Sequence, residues 1–107
     1  MRQWSATQLR DHLDQAAEKP LLLDVREPWE FRICHIEGSK LVPMREIPAA
    51  AAELDPDQEI VVICHHGIRS LQVARYLEEH LGFSNVINLA GGVDAWAREI
   101  DKGMAVY

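Results

Sequence analysis

No apolar run in the 107 residues approaches the roughly 20 that a membrane helix needs. The opening "MRQWSATQLRD" has no long apolar stretch either, so no signal peptide is expected. Basic residues are in the minority: 11 Lys and Arg against 17 Asp and Glu, for a formal charge of −6. A nucleic-acid surface needs a basic patch to neutralise phosphates, so neither nucleic acid nor membrane is expected as a partner. Cysteine is scarce. Two of them do not build a disulfide framework, and in a reducing compartment such thiols are structural, metal-binding or catalytic. A cytoplasmic location is the resulting expectation. Low-complexity tracts, internal repeats and linkers are missing too. The length suits one compact domain, residues 1–107, and is too short for two.

What is present is an alternation of buried strands and amphipathic helices. "LLLDVR" (21–26) is an apolar run ending in charge, with Asp24 and Arg26 at its carboxyl end. "EIVVIC" (59–64) and "NVINLA" (85–90) are two more such runs, each apolar enough to be buried on both faces. "KLV" is a short strand stopped by Pro43. Ser5 or Thr7 caps a first helix striped by Leu9, Leu13 and Ala16 or Ala17. Pro28 suits the first turn of a short helix. A further helix is expected to start near Pro48. "RSLQVARYLEEHLG" is a helix with Leu71, Ala74, Leu77 and Leu81 on its apolar face and Gly82 as its stop. "GGVDAWAREI" turns on two glycines into a last helix, and "DKGMAVY" adds a final extended piece. Trp29 and Trp96 read as packing residues flanking the sheet. The pattern is that of an α/β domain with a mainly parallel sheet. Sites in such sheets lie beyond the carboxyl ends of the strands, where Asp24, Arg26, Cys64 and Gly91 all fall.

Cys64 is the residue with the chemistry. It ends a strand and precedes a short loop, His65, His66, Gly67 and Ile68, which leads into a helix carrying Arg69 and Ser70. Backbone N–H groups left unpaired at a helix start favour an anion, and a thiolate held there is a nucleophile. Gly67 gives the loop its tight turn. Arg69 adds positive charge, and either faces substrate or braces the loop. Ser70 caps the helix or donates to sulfur. Cys34, His35, Cys64, His65 and His66 match no common zinc spacing, so no metal and no cofactor are expected.

These residues resemble the rhodanese family. "CHHGIRS" is similar to its Cys-x-x-Gly-x-Arg-Ser loop, and "LLLDVREPWEF" to its Asp-x-Arg segment and following helix. "CHIEGSKLVP" is similar to its Gly-His-Ile-Pro-Gly-Ala segment, and "LAGGVDAW" to its Gly-Gly turn. The segments are collinear across nearly the whole chain. The resemblance implies a three-layer α/β fold with a five-stranded, mainly parallel sheet flanked by helices. It implies a sulfurtransferase that moves a sulfane sulfur from thiosulfate or a persulfide to cyanide or a thiol. Cys64 carries over as the nucleophile and the amides of His65 to Ser70 as the cradle for its persulfide. Asp24 and Arg26 carry over as structural support. A protein sulfur donor or acceptor is a further expected partner.

Two other readings stay open. One is a carrier module that holds persulfide for a partner protein. The other is a cysteine phosphatase or arsenate reductase. Phosphatases of related fold carry a Cys-x5-Arg loop, whereas four residues separate Cys64 from Arg69 here. The shorter loop suits a sulfur atom better than a phosphate. Cys34 stands where the family has glycine and Glu37 where it has proline. Cys34 is expected to be a small, partly buried thiol rather than a resolving cysteine for Cys64, and His35 to be structural.

Overall fold

The computed structural model describes residues 1–107. Five strands form one sheet: β1 (Arg2–Trp4), β2 (Leu21–Asp24), β3 (Lys40–Leu41), β4 (Ile60–Ile63) and β5 (Val86–Leu89). Their order is β1-β5-β4-β2-β3, and every neighbouring pair is parallel. Five helices cross over between them: α1 (Ala6–Gln15), α2 (Pro28–Ile33), α3 (Ile47–Ala50), α4 (Ile68–Leu81) and α5 (Gly92–Glu99).

Side chains of a strand alternate between faces, and β4 shows it directly. Ile60, Val62 and Cys64 join one core cluster with Ile47 of α3 and Val73, Ala74 and Leu77 of α4. Val61 and Ile63 join a second with Ala6 and Leu9 of α1 and Val93 and Trp96 of α5. The sheet is thus the middle of three layers. Because both its faces are covered, β2, β4 and β5 read in sequence as dominantly apolar runs, interrupted only by the buried Asp24 and Asn88.

Several sequence expectations need correction. The fifth strand is Arg2–Trp4, hydrogen-bonded in register to β5 with Gln3 opposite Asn88; the tail "DKGMAVY" forms no strand. The helix expected from Pro48 begins at Ile47 and is a single α-turn, flanked by 3-10 turns at Met44–Glu46 and Ala51–Glu53. Ala16 lies just past the end of α1, which Ser5 caps with a reciprocal bond to Gln8. The buried face of α4 is Ser70, Val73, Ala74 and Leu77; Leu81 is exposed, and Leu71 lies outside the buried set. Trp96 is buried, but Trp29 is 54% exposed and meets the Tyr107 ring edge to face. No helix is long and apolar enough to cross a membrane.

Candidate functional site

The strand order places the carboxyl ends of β2, β4 and β5 side by side. Cys64 leaves β4 at the centre of the sheet, 1% exposed. The chain turns through Gly67 at φ +95° and enters α4 at Ile68. The loop wraps the sulfur. Gly67 N–H donates to Cys64 Sγ at 3.1 Å and Ser70 N–H at 3.3 Å. The thiol itself donates to Ser70 Oγ at 3.2 Å. The amides of His65, His66, Ile68 and Arg69 have no acceptor inside the protein. Four unspent donors at the start of a 14-residue helix make an anion-favouring rim.

The neighbouring turn clamps this loop from the other side. Val93 N–H donates to Cys64 C=O at 2.9 Å and Asp94 N–H to His65 C=O at 3.1 Å. The start of α5 therefore spends its free amides on the carbonyls of the cysteine loop. Gly92 allows the approach. A Cβ there would stand 2.4 Å from both carbonyl oxygens, and the backbone has φ +59°. Gly92→Ala is expected to cost about 2 kcal/mol or more in urea unfolding and to slow alkylation of Cys64. Gly38→Ala is the control: φ is +85° there with nothing within 4 Å, so only the backbone penalty of about 1 kcal/mol applies.

Charge around the loop is paired off. Arg69 makes a two-pronged contact with Glu30 of α2, at 2.7 and 2.8 Å. Its fork is thus engaged by a helix that lies 39 residues away in sequence. Glu30 is 3% exposed; the Arg69 guanidinium holds its carboxyl down at about 2, helped by the Glu27 amide and the Tyr107 hydroxyl. A carboxylate so depressed stabilises the fold above its ordinary pKa and loses that contribution as pH falls toward 2. Melting temperature between pH 7 and pH 2.5 checks this. The wild type should lose stability below about pH 4.5, and Glu30→Gln should start lower and show a shallower acid limb.

Asp24 and Arg26 are both 0% exposed and bonded to each other, Arg26 Nη2 reaching Asp24 Oδ2 at 2.8 Å. Arg26 also donates to the carbonyls of Glu30 and Cys34 and to the Tyr107 hydroxyl. The pair is closed off from solvent, each partner taken up inside the protein. Tyr107 donates to Glu30 at 2.8 Å and stacks on His65 at 3.8 Å between ring centroids. Burial is the main reason its phenol rises to about 12.

The other sequence candidates divide clearly. Gly67 and Ser70 touch the sulfur, Ser70 as the third residue of α4 rather than as its cap. Ile68 offers only its amide, since its side chain is 70% exposed. His65 lies between His66 and Tyr107, and burial, with the neighbouring His66, lowers its pKa. His65, His66 and Asp94 bring donor atoms within 4.8 Å of one another, but Asp94 Oδ2 accepts from Arg98 Nε at 3.0 Å. Cys34 and Cys64 are both free and belong to core clusters on opposite faces of the sheet. His35 Nδ1 bonds the Phe31 carbonyl, the structural role expected of it.

Three residues of the site escaped the sequence reading: Glu30, Asn88 and Tyr107. Asn88 is 1% exposed, and its carboxamide bridges Ser70, Gly67 and Gln3. Its signal was there, as the only polar residue inside "VINL".

The model of the rhodanese-like domain matches residues 5–99. The chain is 37% identical over 102 residues to a probable adenylyltransferase/sulfurtransferase of Mycobacterium tuberculosis, covering 94% of this chain and 26% of that protein. It thus spans about a quarter of that relative's length. It is 35% identical over 92 residues to a thiosulfate sulfurtransferase of Pseudoalteromonas translucida, covering 86% of this chain and 85% of that one. The crystal structure of a rhodanese-like domain protein from Staphylococcus aureus superposes with a TM-score of 0.83 at 27% identity, over 100% of this chain and 99% of the other. The parallel five-stranded sheet, the cysteine loop between β4 and α4 and these likenesses agree: the chain belongs to the rhodanese-like domain family of sulfur-handling proteins.

Proposed function

We propose that Cys64 is the nucleophile of a sulfurtransferase that works by double displacement. The Cys64 thiolate attacks the sulfane sulfur of thiosulfate. A Cys–S–S bond forms, the S–S bond of thiosulfate breaks, and sulfite leaves with the electron pair. Cyanide or a thiolate then attacks the outer sulfur of the Cys64 persulfide, taking that atom and regenerating the thiolate. The observation that carries this reading is the set of amides around the sulfur. Gly67 and Ser70 hold Sγ, and the amides of His65, His66, Ile68 and Arg69, which no backbone acceptor takes up, are the donors we assign to the negative outer sulfur. Asp24 and Arg26 support the loop indirectly, through the end of α2, which carries Glu30. No cofactor is required, and a reducing, cytoplasmic setting suits two free thiols.

Phosphate transfer is disfavoured by the same geometry. An arginine clamping a phosphate must present its fork to the loop centre, and the Arg69 fork is taken by Glu30. A carrier that hands persulfide to a partner protein is the second reading. It is favoured by Ile68, an apolar side chain 70% exposed in the rim of the loop, where a docking protein would cover it.

The test is the intact mass of reduced protein after brief thiosulfate exposure, followed by cyanide. A gain of one sulfur atom that cyanide removes supports the persulfide, and no adduct on a folded sample overturns the thiosulfate reading. Rapid thiocyanate turnover marks the enzyme; an adduct that turns over slowly with cyanide yet passes to a protein thiol marks the carrier.

A further inference from the structure

Asn88 lies one strand away from the nucleophile and does not touch sulfur, yet it grips both groups that do. Its Nδ2 donates to Gly67 C=O at 3.2 Å, the far side of the residue whose N–H holds Sγ. The other Nδ2 hydrogen goes to Gln3 Oε1 of β1 at 2.8 Å. A backbone carbonyl only accepts, so the amide orientation is fixed and Oδ1 faces Ser70. An amide oxygen also only accepts, so at 2.5 Å the Ser70 hydroxyl hydrogen points to Asn88. Ser70 is 0% exposed and has one hydroxyl proton to give. With that proton committed to Asn88, Ser70 Oγ turns a lone pair toward Cys64 and accepts the S–H.

We propose that Asn88 is a positioning residue that sets the protonation of Cys64 by competing with the sulfur for the Ser70 hydroxyl proton. The proposal deepens the sulfurtransferase reading and rests on Cys64 being the reacting thiol. While sulfur keeps its proton, the chain runs Cys64 S–H to Ser70 Oγ–H to Asn88 Oδ1. When a base in solvent removes the thiol proton, a lone pair on Ser70 would face a lone pair on sulfur. The hydroxyl then rotates to donate to the thiolate, and Asn88 Oδ1 loses its donor. The same rotation serves the persulfide, whose Sγ carries no hydrogen. Asn88 therefore favours the resting thiol and is released when the sulfur is charged or loaded.

Other groups act on this sulfur as well. Arg69 of α4 is paired to Glu30 of α2, and Asp24 to Arg26 beneath them. His65 and His66 lie on the loop itself, Asp94 on α5, and Tyr107 stacks on His65. Asn88→Leu leaves all of these in place, so their field is common to the wild type and that variant; Asn88→Asp adds a charge of its own, which the comparison with its Ser70→Ala background takes out.

The experiment is the rate of iodoacetamide alkylation of the Cys64 peptide, followed by mass from pH 5 to pH 10. It reads the thiol directly, so it stands whatever sulfur donor the protein uses. Asn88→Leu frees the Ser70 proton for sulfur, and the midpoint of the profile is expected to fall by about one pH unit, the worth of one hydrogen bond to a charged group. In a Ser70→Ala background the same substitution should shift nothing. A merely structural role would loosen the loop and move the midpoint up or leave it, in both backgrounds alike; that result overturns the proposal. Asn88→Asp is the isosteric partner should the leucine variant not fold. It tightens the hold on the Ser70 proton, so its midpoint should rise with Ser70 present and rise less with Ser70→Ala. An equal shift in both backgrounds overturns the proposal.

Discussion

Cys64→Ser is expected to lower thiosulfate-to-cyanide sulfur transfer by about three orders of magnitude or more while leaving the fold intact. The two halves of that expectation have separate causes. Activity is lost because a serine oxygen forms no persulfide and, un-ionised at neutral pH, is a poor nucleophile. Fold is kept because the replacement is nearly isosteric and inherits a complete set of partners. Gly67 N–H and Ser70 N–H donate to the new Oγ as they did to Sγ, and its hydroxyl donates to Ser70 as the thiol did. A buried hydroxyl so satisfied changes stability by about 1 kcal/mol or less. The check pairs a turnover assay with a thermal melt and an intact-mass measurement. Loss of turnover with an unchanged melt and no sulfur adduct places the chemistry on Cys64. Retained turnover would move the nucleophile to Cys34, which packs on the opposite face of the sheet.

How much of this was legible in the sequence follows from how local each signal is. The strands β2, β4 and β5 announced themselves because burial on both faces fills most of their positions with apolar residues. β1 gave no such signal. "RQW" is short and largely exposed, and it becomes a strand only because β5 offers an open edge with Gln3 opposite Asn88. The helix expected from Pro48 was displaced because Pro48 sits comfortably one residue inside α3, where its missing N–H would have had no partner. The tail looked extendable, but its last ring is recruited by Arg26, Glu30 and His65 instead.

The nucleophile loop was legible because its chemistry is contiguous, from Cys64 to Ser70. What surrounds it was not, because each partner is remote in sequence. Glu30 is 39 residues from Arg69, Asn88 is 18 from Ser70 and Tyr107 is 77 from Glu30. Glu30 read as an ordinary polar position on a short helix. Its carboxylate is taken up by Arg69 and Tyr107, which arrive from distant parts of the chain and which no local periodicity encodes. The role of Arg69 was left open for the same reason: brace or substrate contact depends on whether a carboxylate arrives from elsewhere, and Glu30 does.

Asp24→Ala is expected to destabilise the protein by about 3–5 kcal/mol, the range for breaking a fully buried ion pair from one side. Arg26 is 0% exposed, so its guanidinium would keep its charge with no carboxylate and no water to balance it. Asp24 also accepts the Arg26 backbone N–H at 3.1 Å, and that donor is lost with it. For a domain of this size the melting temperature should fall by more than about 12 °C. Removing Arg26 as well does not restore the wild type. Its Nη1 and Nη2 satisfy the carbonyls of Glu30 and Cys34 at the end of α2, a helix of only six residues. A double replacement Asp24→Leu with Arg26→Met should therefore recover only part of the loss. The remainder measures what Arg26 does for α2. α2 is also held by Arg69 and Tyr107 at Glu30 and by Arg45 at Glu27, and because Glu30 holds Arg69, the same variants should also loosen the cysteine loop. Cys64 alkylation should then become less uniform at temperatures well below the melt. If Asp24→Ala melts within a few degrees of the wild type, Arg26 has found another anion or water, and the chain of support from β2 through α2 to the loop is broken at its first link.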